Sequence, residues 1–81
     1  MLNISQAVIK RIEELCREQK LTINALSNIS GVTQSTVNDI ISGRTYNAGI
    51  ATVKKLCDGL GISVREFFDS ELFANLEQEI K

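Results

Sequence analysis

The sequence predicts an all-α protein: a compact domain of five short helices, followed by a sixth helix at the C-terminal end. Three observations carry this expectation. Apolar residues recur at steps of three and four rather than alternating. The chain has no Pro and only five Gly among 81 residues, a poor composition for a turn-rich β architecture. Hydroxyl or amide side chains stand just ahead of most apolar runs, where a helix start leaves backbone amides unpaired.

Asn3 or Ser5 caps the first helix, which runs to about Gln19. Val8, Ile12 and Leu15 form its apolar stripe, with Ile9 and Cys16 beside it, while Lys10, Arg11, Glu14 and Arg17 fall mostly on the wet side. The second helix starts at the Thr22 cap, carries Ile23, Leu26 and Ile29, and ends before Gly31, a residue suited to a left-handed helix ending. Thr33 caps the third helix, which buries Val37, Ile40 and Ile41 and stops at Ser42-Gly43. Only Gly-Val-Thr separates helices two and three, so they meet at a steep angle, as in a helix-turn-helix. After the loop Arg44-Thr45-Tyr46-Asn47-Ala48-Gly49, a fourth helix from about Ile50 to Leu60 buries Ile50, Val53, Leu56, Cys57 and Leu60, and Gly61 stops it. Ser63 caps a short fifth helix whose Phe67 and Phe68 close the core. The one candidate boundary, Asp69-Ser70, divides a body (4–69) from a final segment (70–81), read as a sixth helix capped by Ser70.

Composition narrows the chemistry. A chain this short buries roughly 60–65% of its unfolded surface, enough for one modest core. The absence of His, with Cys16 and Cys57 far apart, removes zinc-finger chemistry; both cysteines read as small core residues in a reducing cytoplasm. No clustered carboxylates and no Gly-rich phosphate loop offer a catalytic constellation, so no enzyme, cofactor or small-molecule ligand is expected. No signal peptide or membrane span is read, because "AVIKRIEEL" is charged by its fourth residue; a soluble cytoplasmic protein is expected. Net charge is −1, which disfavours indiscriminate polyanion binding but not a patterned face. The segment from Ser70 holds three Glu and one Lys, leaving eight basic against seven acidic residues before it.

In "LTINALSNISGVTQSTVNDIISGR" and "TVKKLCDGLGISVREFF" the sequence resembles the Cro/C1-type helix-turn-helix family, with its lambda-repressor-like fold. A Leu-Thr opening, Gly-Val-Thr at the turn, a Ser-Thr-Val run, a Gly after helix three, then Leu-Gly-Ile-Ser and an aromatic pair all occur in order across residues 4–69. Three positions depart from the family pattern: Ile23 stands where a phosphate-binding Gln is frequent, Ser27 where Ala is usual, and Ala48 where Pro is common. The resemblance implies sequence-specific double-stranded DNA binding by a small transcriptional regulator, a repressor, with helix three in the major groove. A protein-interaction module using the same surface, or an antitoxin-type regulator with a protein partner, is the rival expectation.

The residues of helix three suit that role. Opposite its apolar side lie Ser35, Asp39 and Ser42, flanked by Thr36 and Asn38, with Gln34 at the N-terminal tip. Gln bonds adenine N6 and N7 in a bidentate way, Ser donates or accepts, Asp accepts from cytosine N4, and the Thr methyl meets a thymine methyl. Their small size lets the helix sink into the groove, where the N-terminal residues of a reading helix meet base edges. Gln34, Ser35, Thr36, Asn38 and Asp39 are therefore the expected base contacts. Thr22, Asn24, Thr33, Ser42, Arg44, Thr45, Tyr46 and Asn47 are the expected backbone contacts, together with the amides that open helix four. Lys54, Lys55, Arg11 and Arg17 read as ordinary wet-face cations. In the final segment, Leu72 or Phe73, Leu76 and Ile80 would share a helical stripe, covered either by helix one or by its copy in a second chain; a homodimer on a palindromic operator is expected.

Overall fold

A computed structural model of the protein describes residues 1–44 and 48–80. Helix α1 (Ile4–Glu18) starts at Asn3 rather than Ser5. The Asn3 carboxamide oxygen accepts from the Gln6 amide at 2.8 Å, and the Asn3 amide donates to Gln6 Oε1 at 3.0 Å, so two otherwise orphaned donors are satisfied reciprocally. Helices α2 (Ile23–Ser30), α3 (Gln34–Ile41), α4 (Ile50–Leu60) and α5 (Val64–Phe68) follow, in the order and nearly at the positions the periodicity indicates. Thr22, Thr33 and Ser63 each accept an amide from the first turn of the helix they precede. Gly31 and Gly61 take φ of 70° and 73° and end α2 and α4 in the left-handed region.

The core is one cluster to which every helix contributes. Ile12, Leu26, Val37, Leu56, Cys57 and Phe67 are fully enclosed. Cys16 and Cys57 are free thiols in this cluster; burial pushes both up from the ordinary thiol range, so neither is poised as a nucleophile. Two expected core residues lie outside it. Ile29 is 51% exposed because the seam between α2 and α4 follows the Leu26–Ser30 line, and Ile29 lies a third of a turn round from Ser30. Ile50 is 70% exposed because it stands one turn ahead of Val53, the first α4 residue that the core covers.

Along that seam α2 and α4 approach closely. A Cβ built on Gly59 would stand 2.8 Å from Ser30 Cβ and 2.9 Å from Ser30 Cα, so the lack of a side chain inside α4 is a packing requirement. Ser30 itself turns its hydroxyl back to Leu26 O at 2.6 Å, keeping a polar group satisfied at the contact.

Arg11 corrects the expectation of a wet-face cation. Its side chain is 11% exposed. Nε donates to Phe67 O at 2.7 Å and Nη2 to Glu66 O at 2.8 Å, closing the carbonyl end of α5, while Nη1 pairs with Glu14. Gln19, from the other end of α1, donates to Leu60 O at 2.8 Å and serves α4 in the same way. Side chains of α1 and its C-cap thus donate to carbonyls at the ends of α5 and α4, where intrahelical pairing runs out.

The sixth helical element is much shorter than expected. Ser70 caps it, but it is a single 3-10 turn, Glu71–Phe73, rather than a helix over 70–81. The Phe73 ring packs edge-on against Phe68 at 4.9 Å between centroids and lies 6.3 Å from Phe67. Leu76 then forms a parallel bridge with Leu2, and the Glu77 amide donates to Leu2 O at 2.9 Å. An isolated helix of about a dozen residues is marginal in water, and the aromatic anchor with the bridge to Leu2 replaces it. The anticipated stripe is dispersed: Phe73 and Leu76 fold back beside the body and Ile80 is 86% exposed.

Two stability measurements follow. Gly59→Ala should destabilise by about 1–3 kcal/mol in urea unfolding, because steric conflict with Ser30 outweighs the roughly 1 kcal/mol of helix propensity that Ala gains; a stabilised variant would show that the seam yields freely. Arg11→Met should cost about 2–3 kcal/mol by removing charge-assisted bonds to two carbonyls, whereas Arg17→Met, on the exposed side of the same helix, should change stability by less than about 0.5 kcal/mol.

Candidate nucleic-acid interface

The turn between α2 and α3 is held from inside. Val32 is buried, and the Ser27 hydroxyl, itself buried, donates to Val32 O at 2.6 Å. This explains Ser27 in place of the family's Ala: it closes the turn's buried carbonyl. The sequence marks this position only as a departure from the family pattern. A hydroxyl five residues ahead of a buried turn residue is the signal that could have found it.

Val37 and Ile40 fix α3 on the body, with Ile41 half-buried. That arrangement turns the other side outward. Gln34, Ser35, Thr36 and Asn38 are exposed and Asp39 is half-buried. Thr33 accepts the Thr36 amide at 3.2 Å and donates its hydroxyl proton to Thr36 Oγ1 at 2.8 Å. Its one proton is thereby spent locally, which leaves the hydroxyls of Ser35 and Thr36 as the donors at this end of α3. Residues 31–44 contain one acid and one base, so this surface is nearly neutral and rich in hydrogen-bonding groups.

Those two charges meet at the other end of the helix. Arg44 Nε lies 3.3 Å from Asp39 Oδ1 and donates to Ser42 Oγ at 3.1 Å. The expected base contact Asp39 and the expected backbone contacts Ser42 and Arg44 are thus one linked group. Thr22 and Asn24 are exposed at the start of α2, apart from it in the chain. Thr45, Tyr46 and Asn47 lie outside the described residues. Gly49, the cap of α4, has no side chain to offer the first amides of that helix. Among the described residues no group of His, Cys, Asp or Glu is arranged to hold a metal ion, and no helix is long and apolar enough to cross a membrane.

Comparison with known proteins gives this surface a context. A helix-turn-helix family model matches residues 12–67, from the middle of α1 to the buried phenylalanine of α5. Two prophage-derived proteins of Bacillus subtilis are similar. The SPbeta HTH-type transcriptional regulator YotL is 30% identical over 75% of this chain and 76% of its own length. The SPbeta HTH-type transcriptional regulator YopS is 31% identical over 72% of this chain and 78% of its own. Among solved structures, the prophage Lp1 protein 11 superposes with a TM-score of 0.81 at 38% identity, over 94% of this chain and all of that one. The matched segment holds the capped α2, the Gly-Val-Thr turn and the polar-faced α3, and with these relatives it establishes that the chain belongs to the Cro/C1-type helix-turn-helix family of DNA-binding transcriptional regulators.

Proposed function

We propose that the protein binds double-stranded DNA in a sequence-specific way, with α3 in the major groove, and represses by occupying its site. One observation carries the reading: α3 is locked to the body by Val37 and Ile40 and holds out short hydrogen-bonding side chains. A helix that only covered a core would have no need of such small residues. Gln34 meets a base edge end-on, Ser35 and Thr36 follow, and Asn38 reads a base or grips the flanking phosphate. Thr22 and Asn24 hold one strand from the start of α2. Arg44, with Ser42 and the Thr45-Tyr46-Asn47 stretch, holds the other. Thr33 acts as the cap that orients Thr36.

The near-neutral face assigns the work differently from that of a basic DNA binder. Few phosphates are neutralised, so non-specific binding is weak and its salt dependence shallow. Discrimination rests on the hydrogen bonds of α3. A symmetric homodimer completes the proposal: two copies of α3 spaced about 34–36 Å apart read a palindromic operator one duplex turn long. Sedimentation equilibrium across the micromolar range, with and without a palindromic duplex, tests this part.

The central experiment is selection of bound sequences from random duplexes, followed by titration at several salt concentrations. Gln34→Ala should lose about 1–3 kcal/mol on the selected site and relax preference at one or two base pairs. Unchanged preference would remove α3 as the reader. Arg44→Ala should weaken binding to every duplex and flatten the salt slope by up to about one unit; a change in base preference would give Arg44 a different role. Absence of salt-dependent duplex binding by the wild type would favour a protein partner on this face.

A further inference from the structure

On the reading that α3 meets duplex DNA, we infer that Asp39 is a counter-charge governing how Arg44 grips phosphate, and not a reader of a base. The way α3 ends builds the pair. Gly43 adopts φ 80° and turns the chain back on itself. The Gly43 amide donates to Ile40 O at 3.1 Å and the Arg44 amide to Asp39 O at 3.0 Å, the two bonds of a Schellman ending. This closure carries the Arg44 side chain to that of Asp39, with Nε 3.3 Å from Oδ1. Ser42 sits between them: its Oγ accepts from the same Nε at 3.1 Å and donates to Asp39 O at 3.3 Å. Both members of the ion pair therefore hang from one backbone motif.

Charge and donor number decide what the pair does. One Asp39 oxygen faces Arg44 and the carboxylate's charge is already matched there, which weakens any acceptance from cytosine N4 by the other oxygen. A guanidinium has five N–H donors, so pairing through Nε orients the terminal nitrogens without consuming them. Where α3 is fully seated, a phosphate can come to the held fork. On an unrelated duplex, α3 stands off, and Arg44 must leave Asp39 to reach a phosphate. The carboxylate thus penalises non-cognate contacts more than cognate ones. The pair is an exposed one, with side chains 71% and 42% exposed, so the effect has the modest scale of a surface ion pair.

The test uses the full chain as wild type, Asp39→Asn, Arg44→Ala and the double variant, all at surface positions whose helical content is checked by circular dichroism. Each is titrated against the selected duplex and a scrambled duplex of equal length, at several salt concentrations. Asp39→Asn should tighten binding to the scrambled duplex about fivefold, the scale of one exposed ion pair, and the selected duplex by less, with a steeper salt slope and unchanged base preference. In the Arg44→Ala background the same substitution should have little effect. Equal tightening in both backgrounds would overturn the inference in favour of unspecific charge repulsion. A changed preference at one base pair would make Asp39 a reader, and unchanged or weaker binding would also reject it. If the wild type binds no duplex, the DNA reading itself fails; if it binds and the two substitutions act independently, only the inference fails.

Discussion

Everything α3 can present depends on the three residues that join it to α2. Gly31 reverses the chain in the left-handed region, Val32 drives into the core, and Thr33 restarts the helix. The weak point of such a turn is its backbone, because the Val32 carbonyl sits against buried side chains. Ser27 supplies the donor at 2.6 Å. Made, such a bond contributes about 1 kcal/mol; unmade, it would leave a buried acceptor costing about 1–3 kcal/mol. The angle between α2 and α3, and with it the direction of Gln34 and Ser35, is therefore set by a polar contact as much as by packing.

The second support is α1, which touches the proposed DNA face nowhere in the contacts described above yet holds the body that carries it. Arg11 and Gln19 close the carbonyl ends of α5 and α4. These helices are short, α5 having five residues, and would not persist alone. Their stability comes from burial of Phe67 and Leu60 and from donors lent by another helix. The close seam between Ser30 and Gly59 then fixes α2 against α4. Rigid placement of α3 follows from this chain of supports, since a reading helix displaced by an ångström loses its hydrogen bonds to base edges.

What could be read from the sequence was local. Caps at Thr22, Thr33 and Ser63, stops at Gly31 and Gly61, and the period of Val37 and Ile40 are written in neighbouring residues, and the helices lie where these signals put them. Three features needed the assembled fold. Arg11 looked like a solvated cation because its partners are the carbonyls of Glu66 and Phe67, more than fifty positions along the chain. Ile29 and Ile50 fit a helical stripe, but a stripe on a short helix is wider than the contact it makes, and the neighbour ends first. The final segment has a helical pattern as well, and there an edge-on aromatic contact and one bridge to Leu2 outcompete a helix with no partner. Of the candidate site, the exposure of Gln34, Ser35, Thr36 and Asn38 followed from the period. The linkage of Asp39, Ser42 and Arg44 did not, because it depends on the left-handed closure at Gly43.

That closure bears on how an acidic chain can meet a polyanion. Net charge is −1, so the protein as a whole gains nothing from the field of DNA. Three of the acids lie in the final segment, which folds back beside α1, away from α3 in the chain, and Asp58 is paired with Lys54 on α4. On the stretch from Gly31 to Arg44 the single acid is matched by the single base. Such a surface neither attracts nor strongly repels phosphate at a distance greater than a Debye length, about 8 Å at physiological salt. If α3 reads DNA as proposed, binding comes from close contacts made one by one, and each hydrogen bond to a base edge forms a larger share of the total than on a strongly basic surface. On the proposed reading, a protein of this kind trades overall affinity for discrimination, exercised through the small polar residues of α3.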